Sequence, residues 1–461
     1  MTTAQTLDLL NRFESRNVTF RDPDGSWPII WERARGCHVW DAEGRQYLDL
    51  TAAFGVAAAG HANPRVVRAG QRQMGTLLHA MGDVHPHALK ARLAQELSEL
   101  TFGRWARAGC GKRQAGTGKT IFGNSGFEAV EAGLKTARLA TGKPGVIAFE
   151  GGYHGLGYGA LNTTHREHFR GPFRNQLREF AQFLPFPAGA AGTGLASNAE
   201  CRMQNAELEQ LEATLRATFR DHAIGAILVE PVQARGGIRI PPPEFLPLLR
   251  RLADEHGALL ILDEIYTGFG RTGAWFACEH SRVAPDLICL GKALTGGFPL
   301  SACVGRADLM DAAWPPATGE AIHTSTFLGH PVGCAMALAQ LAELKAKQLV
   351  ERTAKLGAWL GEALRSEFEV PGSMFKVVTR CVGLMAGIEF TTPDGKPATE
   401  LCLTLMKRLL ARGFILLPEG EHGNILSLTP PLTITEAQLR RTLRALLGDV
   451  ERLTGNPSRA Q

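Results

Sequence analysis

The sequence predicts an α/β protein with two domains, a large one around a mostly parallel sheet and a smaller α/β domain. Short apolar runs that suit buried strands alternate with stretches whose apolar residues recur every three or four positions, as in helices. The strands are almost continuously apolar, which is typical of a parallel sheet covered on both faces by helices. The chain has 461 residues, which is enough for two domains.

The elements of the large domain can be placed in order along the chain. Two β-rich runs around a Glu-Gly turn predict a hairpin at residues 38–49, and a helical pattern covers residues 63–100. Apolar runs predict strands at 120–122, 145–149 and 226–229, and in the two runs that end at Asp263 and at Lys292. Helical periodicity predicts helices at 127–140, 245–256 and 331–353.

The alternation of strands and helices that is typical of the large domain ends after the last of these helices. A strand is predicted at 383–390, and helices at 400–412 and 435–447. Residues 102–119 and 163–201 look inserted, and the second segment, rich in glycine, alanine and proline, is expected to form an extended loop. We therefore expect the chain to have three parts. Residues 1–62 form an N-terminal segment that packs with the small domain, residues 63–345 form the large domain, and residues 346–461 form the C-terminal small domain.

Composition narrows the choice of partners and compartment. With 44% hydrophobic residues, 21% charged residues and an unclustered net charge of +5, the chain has no feature that suggests a nucleic-acid partner. Its nine cysteines are scattered singly without a Cys-x-x-Cys pair, which predicts neither a disulfide framework nor a metal site and favours the cytoplasm. We find no signal-peptide pattern and no apolar stretch near the ~18 residues of a membrane span, so we expect no membrane association.

Two charged residues stand at the ends of apolar runs, where a cleft is expected. A partly desolvated Lys292 would keep its amine neutral and nucleophilic more easily. A buried Asp263 could hold a proton on a heterocyclic nitrogen. A Schiff-base lysine and a pyridinium partner are what a pyridoxal phosphate site requires. A surface salt bridge is the alternative for either residue alone, and placement at strand ends argues against it.

These residues lie in a longer pattern. The run Asp263-Glu-Ile-Tyr-Thr-Gly-Phe-Gly-Arg-Thr-Gly273, with the later Gly291-Lys292, resembles the signature of class III pyridoxal-phosphate-dependent aminotransferases. The resemblance covers about residues 40–431. It is specific, because five separated motifs occur in the family's order. It implies fold type I of pyridoxal-phosphate-dependent transferases, pyridoxal 5'-phosphate as the cofactor, and a homodimer with shared active sites. Asp263 and Lys292 are the implied catalytic residues: Asp263 keeps the ring nitrogen protonated, and Lys292 holds the cofactor and moves a proton.

The resemblance also assigns residues to the cofactor. Ser125 and Gly126 stand at a predicted helix N-terminus, where unpaired N–H groups favour an anion, and the family places the cofactor phosphate there. The family stacks its aromatic residue, here Tyr153, on one face of the ring, and Ile265 would pack on the other face. A plain helix cap and a buried loop tyrosine are the alternatives for the isolated motifs.

Four further cofactor contacts follow from the same motifs. Gln233 in Glu230-Pro-Val-Gln233 matches the glutamine that reaches the ring hydroxyl, and Glu230 is expected beside it. His154 follows Tyr153 in the Tyr-His-Gly motif and is expected to contact the cofactor. Thr326 matches the threonine that the family donates across the dimer interface to the phosphate.

The chain departs from the family where substrates bind. Many relatives that act on α-amino acids have an arginine where this chain has Ser427, and a glutamate where it has Arg235. Either Arg235 binds a carboxylate or phosphonate, or the amino donor is a simple amine or diamine; the third possibility is that Arg235 points to solvent. Phe54 is a further candidate substrate contact.

The resulting prediction is a transaminase that moves an amino group from an amine, diamine or ω-amino compound to a small keto acid. A racemase, aminomutase or phospho-lyase would share these motifs and is the alternative within the same chemistry. A non-catalytic binding protein on the same fold is the alternative of a different class.

Overall fold

The computed structural model describes residues 1–109, 116–187, 189, 198–368 and 375–454. Parts of both predicted insertions, residues 110–115, 188 and 190–197, lie outside the described residues. The helices, numbered α1 to α15, are Thr3–Phe13, Ala52–Gly55, Pro64–Thr76, Ala88–Ser98, Arg104–Arg107, Gly126–Thr141, Tyr158–Thr163, Glu167–Arg170, Asn198–Asp221, Phe245–His256, Ala307–Ala313, Pro331–Ala346, Leu349–Phe368, Thr399–Ala411 and Glu436–Thr454.

The strands, numbered β1 to β15, are Trp31–Arg35, His38–Asp41, Gln46–Asp49, Gly118–Gly123, Gly145–Phe149, Ala181–Leu184, Ile224–Val229, Leu259–Asp263, Leu287–Leu290, Ser301–Arg306, Lys376–Val382, Met385–Thr391, Phe414–Ile415, Leu417–Glu419 and Ile425–Leu428. They form three sheets. The large sheet has seven strands in the order β4-β10-β9-β8-β7-β5-β6, and each of the two smaller sheets has four strands.

The seven-stranded sheet is parallel except for β10, which runs antiparallel to both of its neighbours, β4 and β9. Its central strands β7, β8 and β9 are buried along their length. Helix α6 packs on one face of the sheet, and α10 and α12 are among the helices on the other. Because all strands other than β10 point the same way, their carboxyl ends meet at one edge, which is where ligands bind in open α/β sheets. The prediction of a large domain around a mostly parallel sheet is confirmed.

The predicted N-terminal hairpin is β2 and β3, paired antiparallel. Its second strand also pairs in parallel with β13 from the C-terminal part of the chain. The amide of Leu48 donates to the carbonyl of Gly413 at 2.8 Å, and that of Leu50 donates to Ile415 at 3.0 Å. This pairing supports the expected packing of the N-terminal segment with the small domain, while the division at residues 62 and 345 stays a prediction.

Three predicted segments differ from the structure. The helical pattern at 63–100 is split into α3 and α4, because the chain is extended at Leu77 and restarts at His87, whose ring accepts from the amide of Lys90. The helix at 331–353 is split into α12 and α13 by Gln348, which adopts a φ of 47°. The described residues of the segment 163–201 do not form an extended loop: they contain α8, the edge strand β6 and the start of α9. Strand β6 is ordered by parallel pairing with β5, a non-local contact.

Candidate active site

A cavity of about 370 Å³ opens at the carboxyl edge of the large sheet. The residues that follow β4, β5, β7, β8 and β9 come together there although they are far apart in the chain. Most of the predicted site residues line this cavity, namely Ser125, Gly126, Tyr153, His154, Glu230, Arg235, Asp263, Ile265 and Lys292. Phe127, Gly155, Leu156, Ala234 and Tyr266 complete its wall.

Lys292 lies two residues after the end of β9 and has a left-handed backbone, with a φ of 40°. Its ammonium nitrogen is 4.2 Å from the centre of the Tyr266 ring. Burial lowers the pKa of Lys292 from its usual value, although the charges of Asp263 and Glu230 act in the opposite direction. A lysine in these surroundings loses its proton more easily than an exposed one, as a nucleophile or base requires.

Asp263 is the buried carboxylate at the end of β8. One of its oxygens lies 2.8 Å from Nδ1 of His154, and the other accepts from the amide of Ile265 at 3.1 Å. His154 is itself fixed, because its amide donates to the Thr164 hydroxyl at 2.9 Å. The imidazole and the amide therefore orient the carboxylate within the cavity wall.

Glu230 connects two of the loops that carry site residues. Its carboxylate accepts from the amide of Tyr153 at 2.9 Å and from the amide of Ala234 at 3.0 Å. Burial raises the pKa of Glu230 to about 7, against the lowering effects of His154 and of the two amides. The Tyr153 ring and the Arg235 side chain are thus held on loops that share one buried carboxylate.

Ser125 and Gly126 form the amino end of α6, a helix of 16 residues. The Glu128 carboxylate accepts from the amides of Asn124 and Ser125, at 2.6 and 2.7 Å, which fixes this turn. A side chain at Gly126 would meet the end of the Ile265 side chain at 3.0 Å, so Ile265 would have to shift by a few tenths of an ångström to admit it. The result is a narrow cradle with the positive end of a helix dipole, which suits a phosphate.

Four predicted residues do not line the cavity. Gln233 is buried behind it, where its side-chain amide donates to the carbonyl of Glu150 at 2.8 Å. Ser427 lies in β15, and its hydroxyl donates to the carbonyl of Leu417 at 3.2 Å. Thr326 and Phe54 are exposed on the surface of this chain.

The backbone that carries Phe54 has an unusual shape. Ala52, Ala53, Phe54 and Gly55 all have positive φ angles, between 48° and 81°, so α2 is a left-handed turn. The buried carboxylate of Asp49 holds the turn, accepting from the amides of Thr51 and Ala53 at 2.8 and 3.1 Å. Backbone strain of this kind persists only where surrounding contacts enforce it, and it is concentrated at functional sites.

Sequence reasoning missed two residues at this site. Tyr266 lies beneath Lys292, and its hydroxyl is 3.0 Å from that of Thr429; burial raises the pKa of Tyr266 to about 12. Glu419, at the end of β14, lies beside Arg235, with Oε2 of Glu419 3.6 Å from Nε of Arg235. Tyr266 could have been found inside the Asp-Glu-Ile-Tyr run, whereas no local pattern distinguishes Glu419.

The chain belongs to the class-III aminotransferases, whose family pattern it matches over residues 20–448. It is 36% identical to 5-aminovalerate aminotransferase DavT of Pseudomonas aeruginosa over 91% of this chain and 92% of that protein. It is 34% identical to 4-aminobutyrate aminotransferase GabT of Escherichia coli, over 91% and 92%. It is therefore an aminotransferase, and the alternative of a non-catalytic binding protein is not supported.

Solved structures agree with this assignment. An amine transaminase from an uncultivated Pseudomonas species, solved in its PLP-bound form, has a TM-score of 0.82 and 28% identity, covering 96% of this chain and 98% of that one. The fold is fold type I, and the cofactor is pyridoxal 5'-phosphate. The described residues fit this cofactor, since the cavity combines a desolvated lysine, an oriented carboxylate and a helix N-terminus. In the described part of the chain, no helix is long and apolar enough to cross a membrane.

Proposed function

We propose that this aminotransferase takes its amino group from an amine, diamine or ω-amino compound and delivers it to a small keto acid. The charge of the cavity wall is the observation that carries this proposal. Ser427, where the resembling family has an arginine, is uncharged and bonded to the backbone of β14. Arg235 is instead the arginine that lines the cavity. The names of two relatives, which act on 5-aminovalerate and 4-aminobutyrate, are consistent with ω-amino donors.

Lys292 and Asp263 are the catalytic residues of the proposal. Pyridoxal 5'-phosphate supplies an electron sink for the negative charge that develops on the substrate carbon. Lys292 would hold the cofactor and, as a partly desolvated amine, would move the proton from that carbon to C4′ of the cofactor. Asp263, oriented by His154, keeps the ring nitrogen protonated, which is electrostatic stabilisation by a fixed group.

The remaining cofactor contacts have positioning roles. Ser125 and Gly126 bind the phosphate at the start of α6, and Tyr153 and Ile265 hold the two faces of the ring. Glu230 supports the loop of Tyr153 through its amide. Gln233 contributes from behind the cavity wall by fixing the backbone at Glu150.

A second copy of the chain completes the site in this proposal. The segments 77–84 and 322–328 contact each other through His79 and Phe327, whose ring centres are 5.3 Å apart. They expose a group of large apolar side chains, Leu78, Met81, Val84, Ile322 and Phe327. An apolar surface of this kind is typical of a protein interface, and a symmetric dimer would place Thr326 of the partner subunit near the phosphate. We propose the cytoplasm as the compartment, because the seven cysteines of the described residues are all free.

The two half-reactions provide the test. Purified enzyme loaded with cofactor is mixed first with an uncharged amine and then, after removal of the amine, with pyruvate. We expect the visible absorbance of the Lys292-linked cofactor to fall in the first step, with release of the ketone, and to return in the second, with formation of alanine. Inversion of the amine without ketone release would instead indicate a racemase, and no absorbance change with any donor would contradict the proposal.

Arg235→Ala tests the proposed carboxylate contact. Without the guanidinium, the pyruvate half-reaction should weaken strongly while the uncharged-amine half-reaction survives. Equal effects on both halves would mean that Arg235 does not bind the substrate carboxylate.

A further inference from the structure

The Tyr266 ring lies beneath the amine of Lys292 in the cavity wall. The amine is 4.2 Å from the ring centre, over the face of the ring. This distance is within the roughly 6 Å over which the electron-rich face of an aromatic ring attracts a cation. Among the residues that the structure describes, no carboxylate forms an ion pair with this amine, and Asp263 and Glu230 act on it only through their charges. The ring face is therefore a direct contact of an amine that has no anionic partner.

The Tyr266 ring is fixed in this position. Its hydroxyl lies 3.0 Å from that of Thr429, whose amide donates to the carbonyl of Leu50 at 2.7 Å. Gly55 lies against the ring edge, where a side chain would meet Cε1 of Tyr266 at 3.0 Å. The apolar residues that pack with Tyr266 in one buried cluster are Val232, Ala234, Ile238 and Met385. The ring therefore presents the same face to the cavity whether or not the lysine is charged.

The proposed reaction requires Lys292 to change its charge. The C–H bond of the substrate breaks, its electron pair passes into the cofactor, and the proton goes to the lysine amine before C4′ receives it. Between these two transfers the lysine is an ammonium ion in a buried cavity. Burial disfavours this ion, which is why the pKa of Lys292 is lowered. A group that stabilises the ammonium ion without taking its proton would make both transfers easier.

An aromatic ring suits this task better than a carboxylate. A carboxylate in contact with Lys292 would hold the lysine as ammonium and make it a poor nucleophile and base. A neutral ring stabilises the ion by a smaller amount, so both forms of the lysine stay accessible. Burial raises the pKa of Tyr266 to about 12, so its phenol keeps its own proton.

We propose that Tyr266 is a positioning residue whose ring face stabilises the ammonium form of Lys292 while that lysine carries the proton from the substrate carbon to C4′, an inference that rests on the proposed function. The ring supplies this stabilisation. The hydroxyl serves only to anchor the ring to Thr429.

Two substitutions separate the ring from the hydroxyl. Tyr266→Leu removes the ring, and we expect it to slow a single turnover with an uncharged amine on the order of tenfold, as the loss of one cation–π contact in a desolvated site implies. Tyr266→Phe keeps the ring and should stay within about threefold of wild type. Deuterium on the reacting carbon should give a larger isotope effect in Tyr266→Leu, because proton transfer is the step that is slowed. Tyr158→Leu, at a tyrosine that is 52% exposed, is the matched control and should change neither value.

The charge state of Lys292 can also be measured apart from turnover. After the amine half-reaction the cofactor is aminated and the lysine is free, so the pH dependence of its acetylation, followed by mass spectrometry of its peptide, reports its pKa. Without the ring the ammonium form is less stable, and the midpoint should move to lower pH in Tyr266→Leu but not in Tyr266→Phe. The exposed Lys396, labelled in the same sample, is the internal reference and should not change.

The outcomes separate the two proposals. If Tyr266→Leu does not fold, Tyr266→Met takes its place, since the flexible methionine side chain fills the same space without a ring. Equal effects in the phenylalanine and ring-free variants, or an isotope effect and an acetylation midpoint that stay at their wild-type values without the ring, would overturn the role of Tyr266 and leave the proposed transamination standing. Wild-type enzyme that exchanges no amino group between amine and pyruvate would overturn the proposed function itself.

Discussion

Lys292 is a basic residue placed where a charged amine is disfavoured. Its pKa is lowered by burial, and the Tyr266 ring lies 4.2 Å from its amine. Lys292→Ala should abolish turnover, while cofactor still binds through the cradle at Ser125. Product formation and retained cofactor after gel filtration are the measurements. Lys396→Ala, at an exposed lysine, is the control and should behave as wild type; turnover undiminished in Lys292→Ala would exclude the assignment.

Asp263 acts through its charge more than through its shape. Asp263→Asn keeps the size of the side chain but cannot stabilise a protonated ring nitrogen, so the rate should fall far more than cofactor affinity. Loss of a buried charge-assisted pair costs several kcal/mol, which corresponds to roughly a thousandfold in rate. Single-turnover kinetics and cofactor titration separate the two effects, and a variant within about threefold of wild type would contradict the role.

Site residues at strand ends could be predicted from the sequence, because an apolar run predicts the strand and a charged residue marks its end. Asp263 and Lys292 were predicted on this basis, and the structure brings both into one cavity. Glu419 could not be predicted in this way. It ends a strand of three residues, and its position beside Arg235 depends on how two distant parts of the chain pack.

At the scale of elements, the left-handed turn α2 connects strand β3 to the site. Gly55 has a φ of 81°, and a side chain there would meet the Tyr266 ring at 3.0 Å. Gly55→Ala should therefore lower stability by about 1–3 kcal/mol from the backbone strain and also lower activity by displacing Tyr266 from beneath Lys292.

A matched glycine separates these two effects. Gly44 has nearly the same φ, 82°, but nothing lies within 4 Å of the position that a side chain would occupy. Gly44→Ala should lose similar stability and keep its activity. Thermal unfolding and steady-state kinetics of both variants test the difference; equal activities in the two variants would mean that the contact with Tyr266 has no role in catalysis.

Helices and strands could be predicted from the sequence where a local residue pattern determines them, and not where contacts with distant parts of the chain do. The strand at 145–149 and the helix at 245–256 were predicted with the bounds that the structure has, because each is a clear apolar pattern. The break between α12 and α13 has no glycine or proline to mark it, since Gln348 takes the left-handed conformation. Strand β6 is four residues long and is ordered by its pairing with β5, which no local pattern encodes.

At the scale of the whole molecule, the proposed dimer implies that one chain is not a complete enzyme. The apolar surface of segments 77–84 and 322–328 includes the loop that carries Thr326, so loss of the dimer and loss of the phosphate contact should occur together. Phe327, 52% exposed, is the residue at which to test this. Phe327→Glu introduces a charge that would be buried without a partner in an interface, which is strongly unfavourable.

We expect Phe327→Glu to shift the enzyme from dimer to monomer and to lower its cofactor affinity and activity together. Sedimentation velocity over a range of protein concentrations gives the oligomeric state, and activity measured at the same concentrations should follow the dimer fraction. Leu453→Glu is the control, because Leu453 is also an exposed apolar side chain but lies in α15, outside segments 77–84 and 322–328. A Phe327→Glu monomer with full activity would show that each chain binds the phosphate by itself, and the shared active site would have to be abandoned.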